Sequence, residues 1–595
     1  MSNPQNYFFR LTFWSILAIT LLLRLWDIEG SLPVVVNVDE SFAVSTAVRL
    51  GNGDLNPHIF MWPHLFFYML FSLYGLFYSV GTMLGFFSSL TEFKNLYFND
   101  PSAFYLIGRL FSAAMATACV ALLYHFGKLF RSRVVGLVAA GFLAVSVPHI
   151  EYSRVALPEM TMCFLVLLAA WFAFRLLKTG HWRDYMLAGI AGGLAVSAKY
   201  NAYLIFPTIT LAHFMRMWQR EPGQFFREWH KLVFAGASAL AAFFATTPYA
   251  LLDYQTFWRD IAFTSLVSSP DVVSGTWFSA AKYYLVELFF HNEWLTDFNL
   301  TGIFICVGVL WLAWQRQHMG WLLLSYPLLH FVFFAAKTIG DPRLRYMLPI
   351  VPFLCLVGAV LIIQTAGFGF AKWRRKRTVS QPCIVMTALL LCVPAFVGIA
   401  HFRWLNEKDT ASAAREWILD NLPADTRILY SDYHTLALKR NQPSLEAYYR
   451  DIRGDAGSQK VLQLKIAALN CDATPAYEIN ELYHGWTDEN REHAQNANYL
   501  PQGVLPIDES KFSVSYWRQR GFAHVVVFRD AIERYLSGPE GEQFPKLQAF
   551  YRDLLKNADL VVEFQPIPPR LTGYHIQILK LSEHKNIFVQ GAAGS

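Results

Sequence analysis

Charged residues are scarce in this chain. They account for 16% of its 595 residues, whereas hydrophobic residues account for 54%. Soluble globular proteins usually carry about 25% charged residues. Because the deficit lies in residues 1–400, the composition predicts a polytopic α-helical membrane protein with a more polar C-terminal portion. An ordinary soluble enzyme is excluded for most of the chain.

Cysteine is also sparse. The seven cysteines contain no CxxC pair, and the polar C-terminal portion holds one of them, so that portion has no internal disulfide. The net charge of +6 comes from short clusters and not from a basic face with interleaved aromatic residues. No nucleic-acid partner is therefore expected.

Long apolar runs fill the first part of the chain instead. Each approaches the roughly 20 residues that cross a bilayer. The first run lacks a small-residue cleavage site, so it is interpreted as a retained span and not as a signal peptide. The runs lie at 11–28, 104–127, 133–150, 160–177, 184–198, 200–216, 232–248, 298–314, 320–336, 345–366 and 382–400, with a further run at 63–87.

The positions of the basic clusters predict the topology, because short basic loops stay on the cytoplasmic side. All five clusters face the cytoplasm if the N-terminus is inside and residues 63–87 form a re-entrant or juxtamembrane helix pair. The result is about eleven transmembrane helices in residues 1–400. The long external loops then lie at about 29–103 and 250–297, and the clusters at 128–133, 178–183, 216–231, 316 and 372–377.

The same topology places residues 401–595 outside the cell membrane, as a separate domain. Helical patterns at 411–421 and 545–557 alternate with strand patterns at 427–430, 524–528 and 574–581. This alternation predicts a soluble α/β domain. The topology also gathers charged residues at the external rim, namely Asp39, Glu159, Lys199, Asp253, Glu287, Arg343 and Arg345.

Two adjacent carboxylates, Asp39 and Glu40, follow the first apolar run and begin a short helix that Gly51-Asn-Gly53 ends. Adjacent helical side chains point about 100° apart, so the two cannot act on one atom. Glu40 has the spacing of a capping box with Asn37, and Asp39 would complement the helix dipole. Alternatively, Asp39 is a general base that takes a proton from an acceptor hydroxyl or amine.

Glu159 and Lys199 lie at two further external helix junctions. Pro158 suits a first helical turn, so Glu159 either complements the dipole of that helix, orients an acceptor, or holds a divalent cation together with Asp39. Lys199 either extends to the membrane interface or binds an anionic ligand.

A third cluster contains Arg343, Arg345 and Tyr346 at the mouth of an apolar run. Arginine binds phosphate oxygens through bidentate hydrogen bonds, although simple pairing with Asp341 is the alternative. A carboxylate base beside an anion-binding site is what transfer from a lipid phosphate needs, because the departing phosphate gains negative charge. The competing functions are a transporter or flippase for a lipid-linked glycan, and a non-catalytic protein of envelope assembly.

At this point the chain resembles the GT-C superfamily of polyprenyl-phosphate-sugar-dependent glycosyltransferases. It is similar to the bacterial branch related to protein O-mannosyltransferases and to the aminoarabinose transferase of lipid A. An ordered set of segments over about 350 residues carries the resemblance. These are Val38-Asp-Glu40, Trp62-Pro-His-Leu-Phe-Phe-Tyr68, Gly108-Arg109, Ser153-Arg-Val-Ala-Leu-Pro-Glu159, Ala198-Lys-Tyr-Asn201 and Arg345-Tyr-Met-Leu-Pro349.

The resemblance implies that Asp39, beside Glu40, is the catalytic base, Glu159 an acceptor-side or metal-linked acid, and Lys199 and Arg345 ligands of the lipid phosphate. It further implies an inverting transfer of a hexose or pentose to a protein, lipid or glycan, on the outer face of a bacterial inner membrane, with a periplasmic C-terminal domain. A divalent cation is the one candidate cofactor.

Two positions differ from the family pattern. Relatives often have Asp at the position of Glu159 and a second proline at the position of His64. These differences bear on the metal requirement and on the type of acceptor. Further donor-phosphate candidates are Arg343 and Tyr346, and candidate substrate-binding residues are His58, His64, Arg154 and Tyr200.

Overall fold

The computed structural model separates into two compact units. The first comprises Met1–Glu29, Asp39–Leu84 and Ala103–Arg403, and the second comprises Gly30–Val38, Gly85–Ser102 and Trp404–Ser595. The described residues are 4–35, 37–220, 228–267, 276–290, 300–315, 317–338, 342–368, 409–431, 436–452, 474–482, 509–538, 540–567 and 573–581, with a few positions between 462 and 469.

Helices follow one another through the described residues up to 368. They are α1 (Pro4–Leu25), α2 (Val38–Arg49), α3 (Leu65–Met83), α4 (Leu90–Asn99), α5 (Ser102–Phe130), α6 (Arg133–Ala144), α7 (Val147–Glu151), α8 (Glu159–Thr179), α9 (Trp182–Ala198), α10 (Phe206–Arg220), α11 (Trp229–Thr246), α12 (Tyr249–Leu252), α13 (Tyr254–Val267), α14 (Trp277–Phe289), α15 (Leu300–Trp314), α16 (His318–Lys337) and α17 (Val351–Phe368).

The apolar helices confirm the polytopic α-helical class. Within the described part of the chain, six are long and apolar enough to cross a membrane, and a seventh results if α6 and the bent segment after it count as one span. The runs predicted at 184–198, 200–216, 232–248 and 298–314 form α9, α10, α11 and α15. The run at 382–400 and the basic cluster at 372–377 lie outside the described residues.

Residues 63–87 differ from the prediction, since they hold one helix, α3, and not a helix pair. Both segments that flank residues 39–84 in the chain, Gly30–Val38 and Gly85–Ser102, belong to the second unit. Helix α3 is itself one of the six described helices that are long and apolar enough to cross a membrane.

A break between α6 and α7 turns the chain by 67°. Pro148, in the first turn of α7, has no backbone N–H with which to continue a helix. The buried guanidinium of Arg24, on α1, donates hydrogen bonds to the carbonyl oxygens of Leu143 and Ala144, at 3.3 and 3.2 Å. The carbonyls at the end of α6 are thus satisfied, and the redirected chain leads to Glu159.

Small residues let α9 and α11 approach at van der Waals distance. A Cβ atom at Gly189 would lie 2.1 Å from the carbonyl oxygen of Ala235, and one at Gly193 would lie 2.1 Å from that of Ala239. The spacing of four residues on both helices is the small-xxx-small pattern of membrane helix pairs.

The second unit contains a six-stranded sheet, and a separate set of helices follows residue 409. The strand order is β2-β3-β1-β4-β6-β5, with β2, β3, β1 and β4 parallel and β6 antiparallel to both of its neighbours. The strands are β1 (Arg427–Tyr430), β2 (Lys439–Arg440), β3 (Ala476–Glu481), β4 (His524–Phe528), β5 (Asp559–Phe564) and β6 (Ile576–Lys580). The helices are α18 (Thr410–Asn421), α19 (Gln442–Ile452), α20 (Val514–Gln519), α21 (Arg529–Leu536), α22 (Glu540–Gln543) and α23 (Pro545–Asn557).

The predicted soluble α/β region is confirmed by this sheet. Strands β1 and β4 begin and end at the predicted residues, because their apolar runs are buried in the sheet centre. Strands β2, β3 and β5 and helices α19, α20, α21 and α22 were not predicted. Strand β2 has only two residues, and the first half of β5 is exposed although it contains the apolar residues Leu560 and Val561.

We expect Gly193→Ala to destabilise the first unit by about 1–3 kcal/mol, because the new methyl group would collide with the backbone of α11. Thermal unfolding of the detergent-solubilised chain measures the change. Gly236→Ala is the matched control, since a Cβ atom at Gly236 would meet nothing within 4 Å. Equal unfolding temperatures for the two variants would contradict the close contact.

Candidate functional site

Asp39 contacts Arg345, although 306 positions separate them in the chain. Asp39 lies in the first turn of α2, and Arg345 lies in the 3₁₀ segment Leu344–Ile350 that leads into α17. The Arg345 Nη1 atom donates to the Asp39 Oδ2 atom at 2.5 Å, with 37% of the Asp39 side chain and 18% of the Arg345 side chain exposed. The predicted base and a predicted phosphate ligand therefore lie side by side.

Glu40 points away from Asp39, as expected for adjacent helical residues, and is buried. Arg109 donates to both of its carboxylate oxygens, from Nε at 2.8 Å and from Nη2 at 3.0 Å. The backbone N–H of Ala156 donates to Oε1 at 2.9 Å, and Arg109 Nη1 donates to the Ile28 carbonyl at 3.0 Å. The main partner of the Glu40 carboxylate is thus a distant arginine, which the local capping-box interpretation did not include. Glu40 joins α2 to α5 and to the segment before α8.

Gly108 explains how α5 reaches that segment. A Cβ atom at this position would lie 2.5 Å from the Cβ atom of Ala156. Only glycine permits the approach, which brings the next residue, Arg109, to the carboxylate of Glu40. Both residues of the Gly108-Arg109 pair therefore contribute to the contact of α5 with Glu40 and Ala156.

Glu159 and Lys199 form the second ion pair of the site. Glu159 begins α8 after Pro158, and Lys199 follows α9 in extended backbone geometry, which directs its side chain off the helix. The Lys199 Nζ atom donates to Glu159 Oε1 at 2.6 Å. The Glu159 side chain is 3% exposed, and within the described residues its Oε2 atom has no hydrogen-bond partner.

Electrostatic interactions connect the two ion pairs. The Glu159 carboxylate acts on the Arg345 guanidinium. Tyr152 lies within reach of the charges of Arg345, Glu159 and Arg343. Lys199 acts on His330, which in turn contacts the chain next to Arg345. Helix α8, which begins at Glu159, also packs against the 3₁₀ segment that carries Arg345, so we assign the two ion pairs to one candidate site.

Contacts between Tyr346 and α16, which carries His330, hold the 3₁₀ segment of Arg345 in place. His330, buried on α16, bonds through Nε2 to the Tyr346 carbonyl oxygen at 2.7 Å. The Tyr346 ring stacks on Phe334 with centroids 5.2 Å apart. The Arg345 guanidinium carbon lies 5.5 Å from the Tyr346 ring centroid. Arg343, at the start of the 3₁₀ segment, is exposed. Its suggested partner Asp341 lies outside the described residues.

Comparisons with known proteins found one family model and several solved structures that are similar to this chain. Residues 105–249 match the family model described as dolichyl-phosphate-mannose-protein mannosyltransferase. The structure of ArnT from Cupriavidus metallidurans in the apo state is similar at a TM-score of 0.53 and 12% identity, over 98% of this chain and 99% of that chain.

A second similar structure is the oligosaccharyltransferase AglB from Archaeoglobus fulgidus, in complex with an inhibitory peptide and a dolichol-phosphate. Its TM-score is 0.50 at 12% identity, over 96% of this chain and 74% of that chain. No curated protein sequence matches the chain.

The chain has the GT-C fold. The resemblance to the GT-C superfamily is thus confirmed at the level of the fold. The family match begins in α5 and ends in α12. It therefore includes Arg109, Glu159 and Lys199, but neither Asp39 nor Arg345.

The four candidate substrate-binding residues lie in different surroundings of this GT-C unit. His58 is half exposed, and its hydrogen bond at 2.7 Å lowers the pKa of Asp54. Arg154 donates from Nη2 to the Asp27 carbonyl at 2.6 Å. The Tyr200 hydroxyl is buried and has no partner among the described residues. None of these contacts involves the two ion pairs.

His64 is buried among aromatic rings before α3. Burial lowers its pKa to about 4, so the imidazole is neutral at physiological pH. Its Nε2 atom bonds to the Ile59 carbonyl oxygen at 3.2 Å. These contacts indicate a structural role for His64 in the segment before α3.

The carboxylates fit a divalent cation poorly. Asp39 and Glu159 are each paired with a basic side chain, which a cation would have to displace. Within the described residues, no group of three or more His, Cys, Asp or Glu side chains is arranged to hold a metal ion.

Sequence reasoning missed three residues that shape the site: Arg109 as the partner of Glu40, Tyr152 beside the ion pairs, and His330 behind Arg345. Arg109 carried a usable signal, because an arginine inside an apolar run needs a partner of opposite charge. A histidine inside an apolar run carries the same kind of signal in weaker form.

We expect Glu40→Gln to destabilise the first unit by about 3–5 kcal/mol, because it leaves Arg109 buried without its counter-charge. Thermal unfolding in detergent measures this loss. Glu228→Gln is the matched control, because it breaks a more exposed pair with Lys231, and a change of about 0–1 kcal/mol is expected there. An inactive but fully stable Glu40→Gln protein would instead indicate a catalytic carboxylate.

Proposed function

We propose that this chain is a membrane glycosyltransferase that moves a sugar from a polyprenyl-phosphate donor to an acceptor. The reaction takes place with inversion on the outer face of a bacterial inner membrane. The acceptor is a protein, a lipid or a glycan. The GT-C fold and the family match over residues 105–249 support the reaction class.

The observation that carries the proposal is the contact between Asp39 and Arg345. It joins a carboxylate suited to proton removal with a guanidinium suited to phosphate, and Lys199 lies in the same site. In the similar AglB structure, a dolichol-phosphate and a peptide are bound to that protein. A lipid-phosphate donor for this chain is consistent with that neighbour.

The proposed transfer is a single displacement. Asp39 takes the proton from the acceptor hydroxyl or amine, whose freed electron pair attacks the anomeric carbon. The bond between that carbon and the phosphate oxygen breaks, and its electron pair leaves with the polyprenyl phosphate. A single attack from the opposite face inverts the configuration at the anomeric carbon.

The basic residues act on the leaving group. The phosphate carries one negative charge in the donor and gains a second as it departs, so cations bind it more strongly in the transition state. We assign this role to Lys199 and Arg345. The exposed Arg343 is a further contact for the phosphate, and Tyr346 holds Arg345 in place. Glu159 orients Lys199 and the acceptor.

We expect Asp39→Asn to lower the transfer rate by about 10²–10⁴-fold, the contribution typical of a general base. Purified full-length chain is assayed with a polyprenyl-phosphate sugar and an acceptor preparation from the cell envelope. Asp54→Asn is the control, because this carboxylate is 60% exposed and is bonded to His58 away from the ion pairs. Unchanged turnover of Asp39→Asn would refute the assignment of the base.

A further inference from the structure

The two cations assigned to the donor phosphate are both held by carboxylates of the chain itself. Arg345 Nη1 lies 2.5 Å from Asp39 Oδ2, and Lys199 Nζ lies 2.6 Å from Glu159 Oε1. Both contacts are hydrogen bonds between charged groups, which are stronger than hydrogen bonds between neutral groups. The carboxylates therefore occupy the same donor groups that a phosphate would use.

Neither ion pair is saturated by hydrogen bonds. Within the described residues, the buried Nε atom of Arg345 and the buried Oε2 atom of Glu159 have no partner. A guanidinium has five N–H donors in a planar fork, of which a phosphate engages two at once. The site thus retains donors for an additional acceptor next to Asp39.

A buried charge without a partner of opposite charge is unfavourable, and this predicts that the cations exchange their partners when the donor binds. Without a phosphate, partly buried cations need another negative group nearby. Asp39 and Glu159 supply it at 37% and 3% side-chain exposure. When a phosphate binds, it competes with both carboxylates for the same N–H groups.

We propose that the donor phosphate displaces Asp39 from Arg345 and Glu159 from Lys199, so that donor binding releases the base oxygen that Arg345 holds. This inference rests on the proposed function. The Arg345 guanidinium holds the Oδ2 atom of Asp39 in a hydrogen bond, which occupies a lone pair that an acceptor proton would need. Donor binding moves the guanidinium onto the phosphate and leaves that oxygen open to the acceptor.

The exchange makes Asp39 a competitor of the phosphate as well as the base of the reaction. Thermodynamic coupling is reciprocal, so a group that the ligand displaces weakens the binding of that ligand. Removing the charge of Asp39 then strengthens phosphate binding while it abolishes transfer. A base with no such contact would leave phosphate affinity unchanged.

The test measures binding of farnesyl phosphate to the purified full-length chain by isothermal titration calorimetry, with inorganic phosphate in a parallel arm. We expect Asp39→Asn and Glu159→Gln each to bind farnesyl phosphate about 3- to 10-fold more tightly than the unsubstituted chain. If the affinity for inorganic phosphate rises by the same factor, the gain arises at the phosphate group. A gain only with farnesyl phosphate would contradict exchange at the phosphate.

A double-mutant cycle separates direct contact from long-range electrostatics. In an Arg345→Gln background, the gain from Asp39→Asn should disappear, because the guanidinium that the two anions share is absent. The exchange would be overturned if this gain persisted undiminished in the Arg345→Gln background. It would also be overturned if Asp39→Asn by itself left the binding of farnesyl phosphate unchanged or made it weaker. A different result would refute the proposed function, namely sugar transfer by Asp39→Asn at the full rate.

Discussion

The buried contact between Glu40 and Arg109 is the constraint on which the rest of the site depends. A carboxylate and a guanidinium away from water are tolerated only when each satisfies the other. Here the same carboxylate also binds the N–H of Ala156, so three segments distant in the chain are fixed together. Since Glu40 follows Asp39 directly, this contact determines which way Asp39 faces.

The path of the chain around that contact is set by residues that prevent regular helix packing. Pro148 interrupts the helix, and Arg24 binds the carbonyls left open at the break. Gly108 then permits contact with Ala156 at a distance that any other side chain would prevent. The result brings the N-terminus of α8, with Glu159, to the same site as the N-terminus of α2.

The two units of the chain are stabilised in different ways. In the first unit, helices pack through small residues, such as Gly189 and Gly193 against Ala235 and Ala239, and its charges are paired. In the second, a sheet buries apolar side chains on both faces, as soluble α/β domains do. Both units bury apolar side chains and contain ion pairs, but the ion pairs of the candidate site lie in the first unit.

The sequence by itself determined the class of the protein, the apolar helices, two central strands and the residue types of the site, because these depend on local hydrophobicity and on charges placed at helix junctions. It did not determine which charge pairs with which. Glu40 had the spacing of a local cap, yet it bonds Arg109, and Arg345 bonds Asp39 and not a neighbour in the chain. Only the tertiary structure decided these partners, because opposite charges that lie up to 306 positions apart meet only once the helices have packed.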